Sequence, residues 1–465
     1  MNEENQNKRK SRRRAESEDI ENIPKRPRRL SDLDRDYCKK IQMKSRECEW
    51  FRKLGIDDQV NIIDKETEVE RYYQQDIPLR YKVLLSDMNM GTKSFIIQKI
   101  DQFNNMNSYE SEYHKLDKWL KSVSYIPFGT YVEMPITRTD NEYKIQKFLY
   151  DSYQQIENTI YGQEEAKNKM IQIVAQWISN PLSRGQMIAL EGPPGVGKTS
   201  FVKNGVSKVL NRPFSFYALG GASDACNLEG HSYTYEGANY GRIVQMLMES
   251  KVMNPIIFFD ELDKISNTSR GQEITGILTH LTDTSQNNTF QDKYFAGIDL
   301  DISRILFFFS YNDVELIHPI LKDRLTIIKF EGYKTEEKIK IAIKHMIPQI
   351  LIDIGFDVGD ILFSHDVLRY LIQNYCVEEK GVRNMKRCLE DIVMKMNLLR
   401  LFTIHQKDRN ETGIEIEIEP HKIFPYFIEN LSIPYEMTNE TVNKLLRYSS
   451  ISKKQMNSIL SSIYI

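Results

Sequence analysis

Gly192-Pro193-Pro194-Gly195-Val196-Gly197-Lys198-Thr199 decides how this chain is read. The stretch fits G-x-x-x-x-G-K-[ST] and lies between a short apolar run, Met187–Glu191, and a segment of helical pattern, the context that motif requires. Its glycines let backbone N–H groups curl around phosphate oxygens with no Cβ in the way. A helix beginning near Lys198 turns its positive end toward the same phosphates. Lys198 supplies a point charge for the β- and γ-phosphates, and Thr199 a hydroxyl ligand for Mg2+. The pattern predicts a nucleotide cradle made of Gly192, Pro193, Pro194, Gly195, Val196, Gly197, Lys198, Thr199 and Ser200, with ATP and Mg2+ as cofactors.

About sixty residues downstream, Ile256-Ile257-Phe258-Phe259-Asp260-Glu261 is an apolar strand ending in two carboxylates. Asp260 stands where a P-loop NTPase holds Mg2+ through its water shell. Glu261 is set to polarise a water for attack on the γ-phosphate. Asn312 follows another apolar strand, where an amide can orient that water, and Arg324 precedes the last strand, from where an arginine can reach a neighbouring subunit's γ-phosphate. Taken singly, the last two residue types are more often surface groups or structural ion pairs.

Around these motifs, residues 157–332 alternate short strands with helical patterns, the mark of βα units and a parallel α/β sheet. The expected strands are Met187–Glu191, Phe214–Leu219, Ile256–Asp260, Arg304–Ser310 and Thr326–Phe330. Residues 37–156 read as mostly helical, with Val83, Leu84, Met88, Phe95, Ile96, Ile100 and Phe103 on apolar faces and a further helix carrying Trp119 and Leu120. Residues 333–408 read as a small helical lid. Thr335 is its expected first N-cap. Ile339, Ala342, Ile343, Met346 and Ile347 form one apolar face, and Met385, Cys388, Leu389, Ile392, Val393 and Met396 another. Residues 409–465 form a C-terminal extension with an alternating segment, Ile414–Ile418, that predicts a strand.

Residues 1–36 contain no aromatic residue, and the first 31 carry ten Lys/Arg against six Asp/Glu. Such a segment buries too little apolar surface to offset its ordering entropy, so it reads as a disordered basic tail. Its clusters Lys8–Arg14 and Lys25–Arg29 suit a nuclear import signal, a nucleic-acid tether or a plain solvated tail.

The whole chain of 465 residues balances 63 Lys/Arg against 65 Asp/Glu, which excludes a histone-like polycation and an acidic solubiliser. No apolar run approaches the ~20 residues of a membrane span, and the N-terminus has no apolar core of a secretion signal. Five scattered cysteines suit a reducing compartment, so the expected location is intracellular, cytoplasmic or nuclear, with no membrane partner.

Together these motifs, with Gly381-Val382-Arg383-Asn384, resemble those of the AAA+ ATPases, and more narrowly the ATPase module of the Lon protease family. The narrower resemblance is carried by Leu219-Gly220-Gly221 with Asp224, Gly230-His231, Thr234-Tyr235, Gly241-Arg242-Ile243, Asn287-Asn288-Thr289-Phe290 with Asp292 and Tyr294, and Gly332-Tyr333. It implies a ring, a hexamer, with ATP bound between subunits. It implies Ile160 and Tyr161 on the adenine side, Asn312 as sensor 1, Arg383 as a sensor-2 arginine acting in cis, and Arg324 as a finger acting in trans. It also implies Tyr235 as the pore aromatic that grips polypeptide.

Two departures shape the expected function. Glu236 stands where the family usually has an aliphatic residue, and a ring of such carboxylates would repel phosphate and favour basic polypeptide. Nothing after Leu401 resembles the peptidase serine segment, and Ser449, Ser450, Ser452 and Lys453 read as a polar helix end. The expectation is an ATP-hydrolysing motor that remodels or unfolds protein without cutting it. The alternatives are a nucleic-acid remodelling ATPase, favoured by the basic tail, and an ATP-dependent scaffold. Intact Lys198, Asp260, Glu261 and Arg324 argue against the scaffold.

Overall fold

A computed structural model describes residues 45–73, 77–221, 224–235, 237–266, 268–407, 426–428 and 431–446. The expected tail over 1–36, the strand at Ile414–Ile418, Glu236 and Ser449–Lys453 lie outside the described residues. The chain separates into two units, Met1–Tyr81 and Lys82–Ile465. In the first, helices Ser45–Arg52 and Ile56–Tyr73 meet at a bend where the Gln59 amide donates to the Phe51 carbonyl at 2.9 Å.

The second unit is built on five parallel strands: β1 (Met187–Glu191), β2 (Phe214–Ala218), β3 (Ile256–Asp260), β4 (Leu306–Tyr311) and β5 (Thr326–Lys329), in the order β2-β3-β4-β1-β5. The inner strands are apolar on both faces because helices cover both. Every residue of β4 is buried, as are the first four of β1 and β3. At the edge, β2 is only partly covered and Phe216 is exposed. The α/β sheet read from the sequence is present. Its fourth strand, however, starts at Leu306 and not Arg304, because the Ile305 N–H donates to Ile302 in a turn.

Before the sheet, helix α1 (Met90–Asn104) packs beside helix α2 (Ser111–Ser124), and buried Trp119 donates its indole N–H to the Tyr294 carbonyl at 2.9 Å. Val83, Ile96 and Ile100 are buried as expected, whereas Leu84 is half exposed. After the sheet, the lid closes a second core around Ile339, Leu368, Leu389, Ile392 and Met396, into which Met437, Val442 and Leu445 also pack. Residues 435–446 therefore complete the lid core.

Two lid expectations are corrected. Lys334, not Thr335, caps the first lid helix, where its backbone N–H donates to Glu337 at 2.7 Å. Ile343 is exposed, because residues 342–346 adopt a wider π-type turn that rotates it off the buried face. The Met385–Met396 stripe is lid core on helix α3 (Arg383–Lys407).

Candidate nucleotide site

The strand order puts β1 between β4 and β5, so the loop leaving β1 opens into the crevice at the carboxyl ends of the strands, where open α/β sheets bind ligands. A cavity of about 450 Å³ lies there. Its walls include Pro194–Ser200, Asp260, Glu261 and Asn312 from the sheet side, and Ile160 and Tyr161 from the segment before the sheet. Arg383 closes it from the lid. Gly192 and Pro193, the first residues of the loop, are not part of its lining.

Gly195 and Gly197 hold the loop open with φ of 81° and 94°, a region closed to most side chains. Lys198 begins the following helix. Its Nζ donates to the carbonyls of Gly192 and Tyr311 (3.1 Å to the latter) and to Asn312 Oδ1 at 2.8 Å. Burial pushes this ammonium down to about 8, although Asp260 and Asp263 pull it the other way.

Asp260 Oδ1 accepts from the Ser310 hydroxyl and, at 3.1 Å, from the Glu261 N–H. Its Oδ2, the Thr199 hydroxyl and the Glu261 carboxylate take no hydrogen bond from the described residues. Thr199 and Asp260 thus offer unengaged hard oxygens on one cavity wall, a donor set that fits Mg2+. Glu261 lies at the end of β3 in the left-handed conformation (φ 61°, ψ 46°), which aims its side chain back over the Leu219-Gly220 turn.

Arg324 is elsewhere. It does not line the cavity, and it is paired at 2.8 Å with Asp283, whose carboxyl is held below the usual range by Ser285 and by this arginine. Tyr235 sits at the tip of a turn, 69% exposed.

Residues 188–333 match the family described as ATPase family associated with various cellular activities (AAA). A Lon protease homolog of Acanthamoeba polyphaga mimivirus is 34% identical over 84% of this chain and 41% of its own length. A Lon protease of Campylobacter concisus is 32% identical over 79% of the chain and 43% of its length. A mitochondrial Lon protease homolog of Homo sapiens is 30% identical over 80% and 38%. The chain carries the ATPase module of the Lon-like AAA proteins. It spans less than half the length of these relatives. No helix among the described residues is long and apolar enough to cross a membrane.

The Lon-like module contains working parts that the motif reading left without a role. Asp263 is buried and accepts the N–H groups of Asn312 (3.1 Å) and Asp313 (3.3 Å), so it holds the loop bearing Asn312 against β3. The Tyr333 hydroxyl lies 2.9 Å from the Val196 carbonyl and 3.2 Å from that of Tyr161, which rivets the P-loop to the segment before the sheet. His345 and Lys386 also face the cavity from the lid. Asp263 was visible only as one more acid after Asp260 and Glu261, because no local pattern says which carboxylate is buried.

Two glycines set the geometry by close approach. A Cβ on Gly220 would stand 2.2 Å from Glu261 Oε2, whereas one on Gly221 would meet nothing within 4 Å. A Cβ on Gly381 would stand 2.3 Å from the Pro194 carbonyl oxygen.

Gly220→Ala is therefore expected to displace the Glu261 carboxylate and lower ATP turnover by about 10²-fold, the usual order for an ångström of misplacement, while nucleotide still binds. Gly221→Ala is the control and should keep wild-type turnover. Steady-state kinetics on the pair check this, and equal rates would refute the placement argument. Gly381→Ala should push the lid off the P-loop at an overpacking cost of about 1–3 kcal/mol. A nucleotide titration should read this as weaker binding, and unchanged affinity would count against lid closure on the P-loop.

Proposed function

We propose that this chain is an ATP-hydrolysing motor that works as a ring of copies, a hexamer, and uses the cycle to remodel or unfold protein passed along Tyr235. One observation carries the reading. The cavity gathers Lys198, Thr199, Asp260, Glu261, Asn312 and Arg383, while Arg324 stands outside it on its own subunit. A site complete except for one arginine, with that arginine exposed elsewhere, supports ATP bound between subunits.

The chemistry follows from the side chains. Lys198 gives up its carbonyl acceptors for the β- and γ-phosphate oxygens, and Arg383 approaches the γ-phosphate from the lid. The unengaged Glu261 carboxylate takes a proton from a water oriented by Asn312. The water oxygen forms the new bond to phosphorus as the bond to the ADP oxygen breaks. Thr199 and Asp260 would hold Mg2+, which when bound neutralises phosphate charge. Arg324, released from Asp283, would reach the neighbouring copy's γ-phosphate. The exposed Leu316 and Ile320 lie on two short helices of the same β4–β5 connection and give that neighbour an apolar surface to cover. The residues assigned here act on a phosphoanhydride, and none acts on an amide bond. Two of the three loop tyrosines are packed, Tyr233 against Trp119 and Tyr240 against Phe295, which leaves Tyr235 as the ring free to meet polypeptide.

Glu261→Gln should retain nucleotide and lose turnover, because an amide cannot take the proton. Arg324→Ala should lose about 10³–10⁵ in rate, the range measured for such fingers. Mixing the two variants should restore part of the activity. Turnover per subunit that stays flat across a dilution series spanning assembly would contradict the shared site.

Tyr235→Ala should abolish stimulation of ATP turnover by an unfolded protein while the assembled ring persists on size-exclusion chromatography. Loss of assembly together with turnover would instead make Tyr235 an interface residue.

A further inference from the structure

The loop from Gly230 to Gly241 carries Tyr235, yet among the described residues its backbone has few partners within the loop besides one cross-loop bond and its turns. The His231 N–H donates to the Asn239 carbonyl at 3.1 Å, and the Gly241 N–H donates to buried Asp292 at 2.8 Å. These bonds close the base of the loop. The tip is held from another part of the chain.

Lys115 Nζ donates to the Thr234 carbonyl at 2.9 Å. Lys118 Nζ donates to the Ala238 carbonyl at 2.9 Å and to Asn239 Oδ1 at 2.7 Å. Lys99 Nζ lies 3.1 Å from the Tyr233 hydroxyl. All three lysines belong to α1 and α2, more than a hundred residues earlier in sequence. Their bonds fall on both sides of Tyr235, at Thr234 before it and Ala238 after it.

We propose that the α1–α2 pair is the positioning element for the Tyr235 loop, with Lys115 and Lys118 as the positioning residues. An ammonium group offers three donors on a flexible stem, so it can follow a carbonyl through small displacements that would break a rigid contact. Glycines at both ends and at Gly237 leave the loop backbone permissive, so its orientation is set by whatever grips its carbonyls. The grip also couples the two parts mechanically. A load on Tyr235 is passed to α1 and α2, and a displacement of α1 and α2 re-aims Tyr235. The proposal rests on the reading of Tyr235 as the polypeptide contact.

The test uses the full chain with Lys115→Met and Lys118→Met combined, which keeps the apolar stems and removes the donors. The companion variant is Lys115→Arg with Lys118→Arg, which keeps donors. Hydrogen exchange of the amides at 232–239 should accelerate about tenfold in the Met variant, the factor that one charge-assisted hydrogen bond corresponds to, and exchange across the sheet should not change. ATP turnover without protein should stay at the wild-type rate, stimulation by an unfolded protein should fall several-fold, and the Arg variant should recover it. Unchanged exchange at 232–239 would overturn the proposal whatever Tyr235 does. Faster exchange with full stimulation, in a protein whose stimulation is lost in Tyr235→Ala, would also overturn it. Faster exchange with full stimulation in both the Met variant and Tyr235→Ala would instead overturn the reading of Tyr235 and leave the positioning of the loop standing.

Discussion

The site depends on one half-buried ammonium. Lys198 Nζ bonds the carbonyl of Gly192 after β1 and the carbonyl of Tyr311 at the end of β4, and it reaches the amide oxygen of Asn312 beyond. The two adjacent strands are still joined here, with the Gly192 N–H donating to the Tyr311 carbonyl at 3.2 Å, and the cation adds a second tie between their ends. A charge away from water costs free energy unless it is paired or hydrogen-bonded, which is why its acceptors are so many and its affinity for the proton is reduced. The same group lines the cavity, so the bonds that stabilise the loop also fix where that charge stands.

Around that cation the module is a set of short tethers between elements far apart in sequence. Asp263 ties the Asn312 loop to the end of β3. Tyr333 ties the P-loop to the segment before the sheet, and its own N–H donates to Lys380 of the lid at 2.8 Å. The Val382 N–H donates to the Gly195 carbonyl at 3.1 Å, and Glu379 accepts the N–H groups of Asn384 and Met385 at the start of α3. A movement of the P-loop is therefore transmitted to the lid within a few bonds, and the lid carries Arg383.

What was legible in the sequence follows from the range of each interaction. The P-loop, the strands and the acidic end of β3 are written in contiguous residues, so periodicity and spacing reveal them. Solvent exposure was less legible. Leu84 and Ile343 sit in helical patterns that look apolar, but burial is set by what packs against the helix and by its local pitch, and both were assigned to the wrong side. Long-range tethers left no trace at all. Nothing in the sequence around Lys115 or Lys118 points to residues 234–239, and nothing around Gly220 points to Glu261. Such partnerships arise only when distant segments fold against each other.

The backbone of Glu261 carries a further implication. A non-glycine residue in the left-handed region gives up about 1–2 kcal/mol relative to ordinary backbone. Glycine or asparagine would occupy the position with less strain, and neither could take a proton from water. On the proposed role of Glu261 as the base, thermodynamic robustness and turnover pull in opposite directions at this residue, and glycine here would raise folding stability while removing the carboxylate.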